Sequence, residues 1–371
     1  MAEAKQVKDR KVRYAVVGAG WIAQSAFMPG VEHTGNSEIT ALVSGDETKR
    51  KTLASRYDIH KTYAYEQYDE MLGSGEVDAV YLATPNDRHV DLAVRTLNAG
   101  IHLLLEKPMA VSVAECDRIS AAAAASKAKL MVAYRLHFEP ITLEILERIR
   151  AGKIGTLRAF TSTFTQHVAA SNHRAKNGFW AGPVADMGPY PINAVRNIFA
   201  AEPVEVFAAG TKGEEAFNFH DTVAVTLRFE GDRIANFTVS YATEPIGEYT
   251  VAGTSGWIQA NPAYTFHDAI AMKSSVNEKE DAKEGKRTDQ FGGETKYFSD
   301  CILEGRMPEP DGDEGLRDVR VIAAIEESLR TGAVVKLPPM PSRRGPAKLQ
   351  EMTLSAVKEP ELVNAFAPEK G

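Results

Sequence analysis

Apolar residues fall into short runs separated by amphipathic stretches, and the change in their spacing divides the chain. Val12 to Val17 is an apolar, β-branched run ending at glycine, which predicts a buried strand. Further runs at Ile39–Val43, Ala79–Ala83, His102–Leu105 and Leu130–Ala133 predict strands of the same kind. Helical spacing fills the gaps at Trp21–Glu32, Glu47–Arg56, Tyr65–Leu72, Asp87–Ala99 and Val113–Ala125. Strand and helix alternating at this pitch predict βαβ units and a parallel sheet covered on both faces.

Beyond Tyr134 the rhythm changes. Phe138 to Arg150 is an amphipathic helix with Ile141, Ile145, Leu146 and Ile149 at helical spacing. Leu157 to Thr165 alternates like a strand, and Pro191 to Phe199 is helical. From Val204 to Ile258 come several strands, with turns expected at Gly210, Glu230-Gly231-Asp232 and Gly253-Thr254-Ser255-Gly256. These predict neighbouring antiparallel strands of one large sheet with one helix-covered face and one open face. The open face is a candidate subunit interface. Ser274 to Thr288 is charged and turn-rich and predicts a solvated loop or lid, followed by helices at Asp289–Leu303 and Gly315–Arg330. The proline-rich stretch from Leu337 predicts a tail that wraps a neighbour or stays mobile. The expected organisation is an arm (1–11), an α/β domain of Rossmann type (12–133), an α+β domain with a large, mostly antiparallel sheet (134–331) and a tail (332–371).

A chain of 371 residues suits two cores better than one. A net charge of −7 argues against a nucleic-acid partner, which would want a basic face. The longest apolar run is far short of a membrane span, and the first residues carry no apolar export segment, so a cytoplasmic protein is the expectation. Cys116 and Cys301 lack the spacing of a metal site or redox pair and are expected to be buried or half-buried thiols; no metal is expected.

The chemistry begins at Gly18-Ala19-Gly20-Trp21-Ile22-Ala23, a G-x-G-x-x-A turn that follows a strand and opens a helix. Gly18 permits the tight turn, Gly20 lets backbone approach a pyrophosphate, and Ala23 keeps helix and sheet close. Phosphates would sit on the free N–H groups of the helix start. The second strand ends at Val43-Ser44-Gly45-Asp46. NAD selection wants a carboxylate at that tip, whereas Ser44 with Lys49 and Arg50 close behind suits a 2′-phosphate. NADP is therefore favoured over NAD, with Asp46 as a possible helix cap. Thr84-Pro85-Asn86 ends another strand at the same crevice, where Asn86 could touch ribose or nicotinamide. His89 is expected to be structural at a helix start rather than catalytic, and is a candidate cofactor contact. The strand ending at Leu105 leads into Glu106-Lys107-Pro108, which points a lysine at the dinucleotide.

Together the glycine turn, Ala83-Thr84-Pro85-Asn86 with His89, Glu106-Lys107-Pro108 and Tyr134-Arg135 resemble the glucose–fructose oxidoreductase (Gfo/Idh/MocA) family. The stretches Ala41–Gly45, Tyr134–Pro140 and Asp186-Met187-Gly188-Pro189-Tyr190 are most similar to its glucose–fructose oxidoreductase and aldose and dihydrodiol dehydrogenase branch. The resemblance implies a cis peptide in the glutamate–proline turn, a lysine that contacts substrate, and subunits paired through the open sheet face as a homodimer or homotetramer. It also implies that Tyr190, where many relatives carry histidine, serves oxidation of a sugar's anomeric carbon.

On that basis Lys107, Tyr190 and Asp186 are the expected catalytic residues. Asp186 and Tyr190, four apart, could share a helical face. A tyrosine of ordinary pKa, about 10, is a poor base near neutrality, and a neighbouring lysine cation favours the phenolate. Tyr190 is thus expected as base or acid, with Lys107 on the reacting oxygen and Asp186 orienting Lys107 or a sugar hydroxyl. Arg135, Trp180 and Asn193 are candidate sugar contacts, with His167, His173 and Arg174 in the same region. Glu106 and Arg135 are also candidate cofactor contacts. A glycine triplet common before the aspartate in relatives is replaced here by Phe179–Ala185. The resulting expectation is an NADP-dependent aldose oxidoreductase. Alternatives are a non-released NADP shuttling between two sugars, a reductase of a dicarbonyl or anhydro-sugar, and a non-catalytic dinucleotide-sensing regulator.

Overall fold

The computed structural model describes residues 10–343 and 345–370; most of the expected arm lies outside them. The chain forms two compact units. The first runs up to Arg135 and takes in Asp289–Leu316 and Met352–Ala367; the second comprises mainly Leu136–Thr288 and Arg317–Glu351.

In the first unit, β1 (Val12–Val17), β2 (Ser37–Val43), β3 (Lys61–Tyr63), β4 (Ala79–Leu82), β5 (His102–Leu105) and β6 (Leu130–Val132) make one parallel sheet. Its order is β3-β2-β1-β4-β5-β6, the doubly wound Rossmann arrangement. The central strands β4 and β5 are buried on both faces, which is why they read as unbroken apolar runs. All six strands point the same way, so the residues after β1, β2, β4, β5 and β6 gather at one edge. The helix after β1 contains a π-helical turn, Ala23–Phe27, inside the expected segment. Phe27 there stacks on Tyr81 of β4 with ring centroids 3.6 Å apart.

The second unit is built on nine strands in the order β14-β13-β12-β11-β7-β10-β9-β8-β15. These are β7 (Leu157–His167), β8 (Pro203–Thr211), β9 (Thr222–Phe229), β10 (Arg233–Ser240), β11 (Ala242–Gly253), β12 (Gly256–Ala260), β13 (Ala271–Val276), β14 (Lys279–Glu284) and β15 (Val335–Lys336). Pairing is antiparallel except between β10 and β7, which run parallel. One face packs under Pro140–Arg150, Pro189–Phe199 and residues such as Val321, Ile322 and Ile325. Phe207, Ile234 and Ile246 remain exposed on strands β8, β10 and β11.

Three expectations are corrected. Ser274–Thr288 is no loop: β13 and β14 form a hairpin whose turn residues, Asn277 and Glu278, both have positive φ, the signature of a tight two-residue connection. Gly210 lies inside β8 rather than at a turn; a Cβ there would meet the His220 ring at 2.7 Å. The tail does not stand off, because Met352–Ala367 packs on the first unit of its own chain. Both cysteines are buried and free, as expected.

Candidate active site

The sheet edge of the first unit carries the expected dinucleotide elements. Gly18 adopts φ +94°, and a Cβ there would lie 2.5 Å from the Ala83 carbonyl oxygen. The tight turn therefore has a second cause, the close approach of the neighbouring strand end. Gly20 is the opposite case: a Cβ would meet nothing within 4 Å, leaving the open cradle that an approaching pyrophosphate requires. Ala23 is fully buried, while Trp21 and Ile22 are half-buried beside it. The residues fit a dinucleotide. Gly18→Ala should destabilise the fold by about 3 kcal/mol, through positive-φ strain and backbone overlap. Urea unfolding of the variant checks this, and an unchanged midpoint would refute it.

At the β2 tip, Ser44 is buried and Lys49 half-buried, and the Arg50 guanidinium donates to the Ser44 carbonyl. Asp46 caps Glu47–Arg56, accepting the Lys49 N–H at 3.0 Å. The Asp46 carboxylate is thus engaged by the helix end.

After β4, Thr84 is buried, Pro85 exposed and Asn86 half-buried at the start of a 3-10 turn. His89 is fully buried, with Nδ1 3.0 Å from the Pro108 carbonyl and Nε2 3.1 Å from the Thr84 carbonyl. Burial lowers its pKa, and a neutral imidazole donates through only one nitrogen at a time. It links the Thr84 loop to the lysine turn.

Lys107 is half-buried, and its peptide bond to Pro108 is cis. Glu106 accepts the Tyr81 hydroxyl at 2.7 Å. Burial pushes the Glu106 carboxyl above the usual carboxylate range, while Lys107, Tyr81 and Arg135 favour its charged form. Arg135 is buried, donates to Gln290 and lies 5.9 Å over the Phe291 ring. Sequence reasoning missed Glu294, on the helix Gln290–Leu303. It is fully buried, neither carboxyl oxygen has a hydrogen-bond partner among the described residues, and burial with the nearby Glu106 charge raises its pKa strongly. A half-buried acid, Glu106, a fully buried one, Glu294, and one arginine therefore lie near the lysine turn.

In the second unit Asp186 ends the short helix Pro183–Asp186, and Tyr190 is the second residue of Pro189–Phe199. The pair lies on separate helical segments rather than one face. Asp186 accepts the Tyr241 hydroxyl at 2.8 Å and stands 3.5 Å from Arg174. Tyr241, also missed in the sequence, is buried and held protonated by burial and by Asp186. Tyr190 packs edge-on against Phe164, with centroids 5.2 Å apart, and against Tyr264. The Trp180 indole N–H donates to Glu326, and Asn193 is buried against His137, Asn197 and Asp318. His167 and His173 are exposed. Among the described residues no group of three or more His, Cys, Asp or Glu could hold a metal, and no helix is long and apolar enough to cross a membrane.

A Rossmann unit with this phosphate cradle, followed by a mostly antiparallel sheet unit, defines a dinucleotide-dependent oxidoreductase. Residues 12–134 match the model of the oxidoreductase family with an NAD-binding Rossmann fold, and residues 142–259 match the GFO/IDH/MocA C-terminal domain. The chain is 30% identical over 340 residues to the D-xylose 1-dehydrogenase [NADP(+)] of Haloarcula marismortui, covering 89% of this chain and 94% of that protein. It is 26% identical to the trans-1,2-dihydrobenzene-1,2-diol dehydrogenase of Bos taurus, over 88% of this chain and 98% of that one. The crystal structure of an aldose-aldose oxidoreductase from Caulobacter crescentus superposes with a TM-score of 0.83 at 33% identity, covering 88% of this chain and all of that one. The chain belongs to the GFO/IDH/MocA oxidoreductase family.

Proposed function

We propose that this chain is an NADP-dependent oxidoreductase that moves hydride between the nicotinamide and the anomeric carbon of an aldose or related sugar. When bound, the dinucleotide supplies the acceptor or donor for the hydride. Lys107 binds the reacting oxygen, Tyr190 takes the hydroxyl proton in oxidation and returns it in reduction, and Asp186 orients a sugar hydroxyl. Arg135 supports the lysine turn through its charge beside Glu106. Trp180 and Asn193 hold surrounding structure through Glu326, His137 and Asp318.

The observation that carries this reading is the position of Lys107. It lies at the same sheet edge of the first unit as the open Gly20 cradle, on a turn secured by Glu106 and His89. Ser44 and Arg50 at the β2 tip, with Asp46 engaged as a cap, support NADP over NAD. The NADP(+) dependence of the Haloarcula relative points the same way. The exposed Phe207, Ile234 and Ile246 support the open sheet face as the contact between copies of the chain.

The test is nicotinamide reduction by purified, nucleotide-free protein across common aldoses. The expected result is turnover with at least one aldose and a kcat/KM for NADP about tenfold above that for NAD, a difference of about 1.4 kcal/mol. No turnover with any sugar in either direction would reject the reading. The likeness to an aldose-aldose oxidoreductase favours one second reading. In it one aldose is oxidised to a lactone and a second reduced to an alditol, and the two electrons and two protons lost by the first enter the second. Turnover of mixed aldoses without added nucleotide, by protein purified with its own nucleotide still bound, would select it.

A further inference from the structure

The C-terminal segment crosses the first unit at the glycine turn and at the β2 tip, where no strand or helix of the fold requires it. Gln24, one residue beyond the turn, is fully buried, and its side-chain amide is completely engaged. Its Nε2 donates to the carbonyls of Ala19 at 2.9 Å and Val363 at 3.0 Å, and its Oε1 accepts the Val363 N–H at 2.7 Å. The next residue, Asn364, donates from Nδ2 to Asp46 Oδ2 at 2.9 Å. Since Asp46 Oδ1 already accepts the Lys49 N–H, each carboxylate oxygen has a protein donor. A third tie runs from the Arg56 guanidinium to the Glu361 carbonyl. Asn364 has φ +46°, a conformation asparagine tolerates better than most residues, so the segment is shaped to present its amide there.

Packing does not account for this path. Val363 is only half-buried, Asn364 is exposed and Phe366 is 60% exposed. The segment is held by polar bonds, and those bonds end on the two features that a Rossmann fold turns toward the pyrophosphate and the adenosine ribose. An acid near the β2 tip is the group that would accept a ribose 2′-hydroxyl and repel a 2′-phosphate.

We propose that Glu361–Asn364 is a built part of the dinucleotide site: it braces the glycine-turn helix through Gln24 and engages Asp46 through Asn364, so that the site holds its nucleotide and favours one with a 2′-phosphate. Asn364 is a positioning residue, acting on the nucleotide through Asp46. The proposal rests on the NADP reading for its choice of nucleotide, but not for retention.

The test uses the full chain, an Asn364→Gly variant that keeps positive φ available, and a chain ending at Pro360. Stopped-flow displacement gives the release rates of NADPH and NADH, and titration gives both affinities. In the truncated chain, NADPH release should accelerate about tenfold. In Asn364→Gly, the NADPH-to-NADH affinity ratio should fall about fivefold, with an unchanged unfolding midpoint. A merely structural tail would shift the midpoint and leave that ratio alone. Release rates and ratio equal to the full chain in both variants would overturn the proposal. Should the full chain prefer NADH, the NADP reading fails by itself, and NADH release still decides retention.

Discussion

Replacing Lys107 by methionine should cut turnover by about a hundredfold to a thousandfold, the usual cost of removing one preorganised donor from a developing oxyanion. The substitution keeps the length and apolar stem of a half-buried side chain. The turn itself is held by other groups: Tyr81 on Glu106 from one side and His89 on the Pro108 carbonyl from the other. Fold and dinucleotide binding should therefore survive, with the affinity for NADPH unchanged within about threefold. Losing the ammonium also removes a cation that favours the charged form of Glu106. Glu106 should then hold its proton more tightly, which adds no replacement cation at the reacting oxygen. Steady-state kinetics with nucleotide titration separates the two effects. Turnover within about threefold of the parent would remove Lys107 from the chemistry.

The parallel sheet was legible because burial on both faces leaves little choice of residue. β1 and β5 have the bounds that their apolar runs predict. The edge strand Lys61–Tyr63 carries no such signal, since Lys61 and Thr62 face solvent. β14 is a stronger case: Lys-Glu-Asp-Ala-Lys-Glu is exposed at every position, and charge on an edge strand discourages pairing with other chains. The same charge makes the strand look like a loop. Asn277 was the available clue, a residue type that tolerates positive φ between two extended runs. The parallel pairing of β10 with β7 joins strands about seventy residues apart, and periodicity contains no information on such partners.

The site divides along similar lines. Gly20 and Ser44 announce themselves because backbone approach and strand-tip chemistry demand particular residue types at fixed offsets. Glu294 announces nothing, because a glutamate in a helix is ordinarily a solvated residue, and only tertiary packing buries this one. In the fold, Gln290-Phe291-Gly292-Gly293-Glu294 opens a helix where ten positions are buried. Tyr241 was hidden among strand residues, where an aromatic is expected for packing alone. Asp186 meets it through the fold of the second unit, and nothing in the sequence pairs them.

Tyr190→Phe should lower turnover by about a hundredfold to ten-thousandfold, the range a positioned general acid or base contributes. The ring loses only its hydroxyl, so its edge-on contact with Phe164 and its packing against Tyr264 persist. Pro189 still opens the helix at a position where a missing N–H does no harm. Stability should accordingly stay within about 0.5 kcal/mol of the parent, while the proton-transfer step fails. The pH profile separates this from a packing role. If the phenol moves the proton, the variant's residual rate should rise with hydroxide instead of following the parent's profile, because solvent must then take the proton. A phenylalanine variant with near-parent turnover and an unchanged profile would leave Tyr190 as an aromatic of the second unit's core. Hydride transfer in this chain would then need a different proton carrier, with Asp186 and its partner Tyr241 the next groups to substitute.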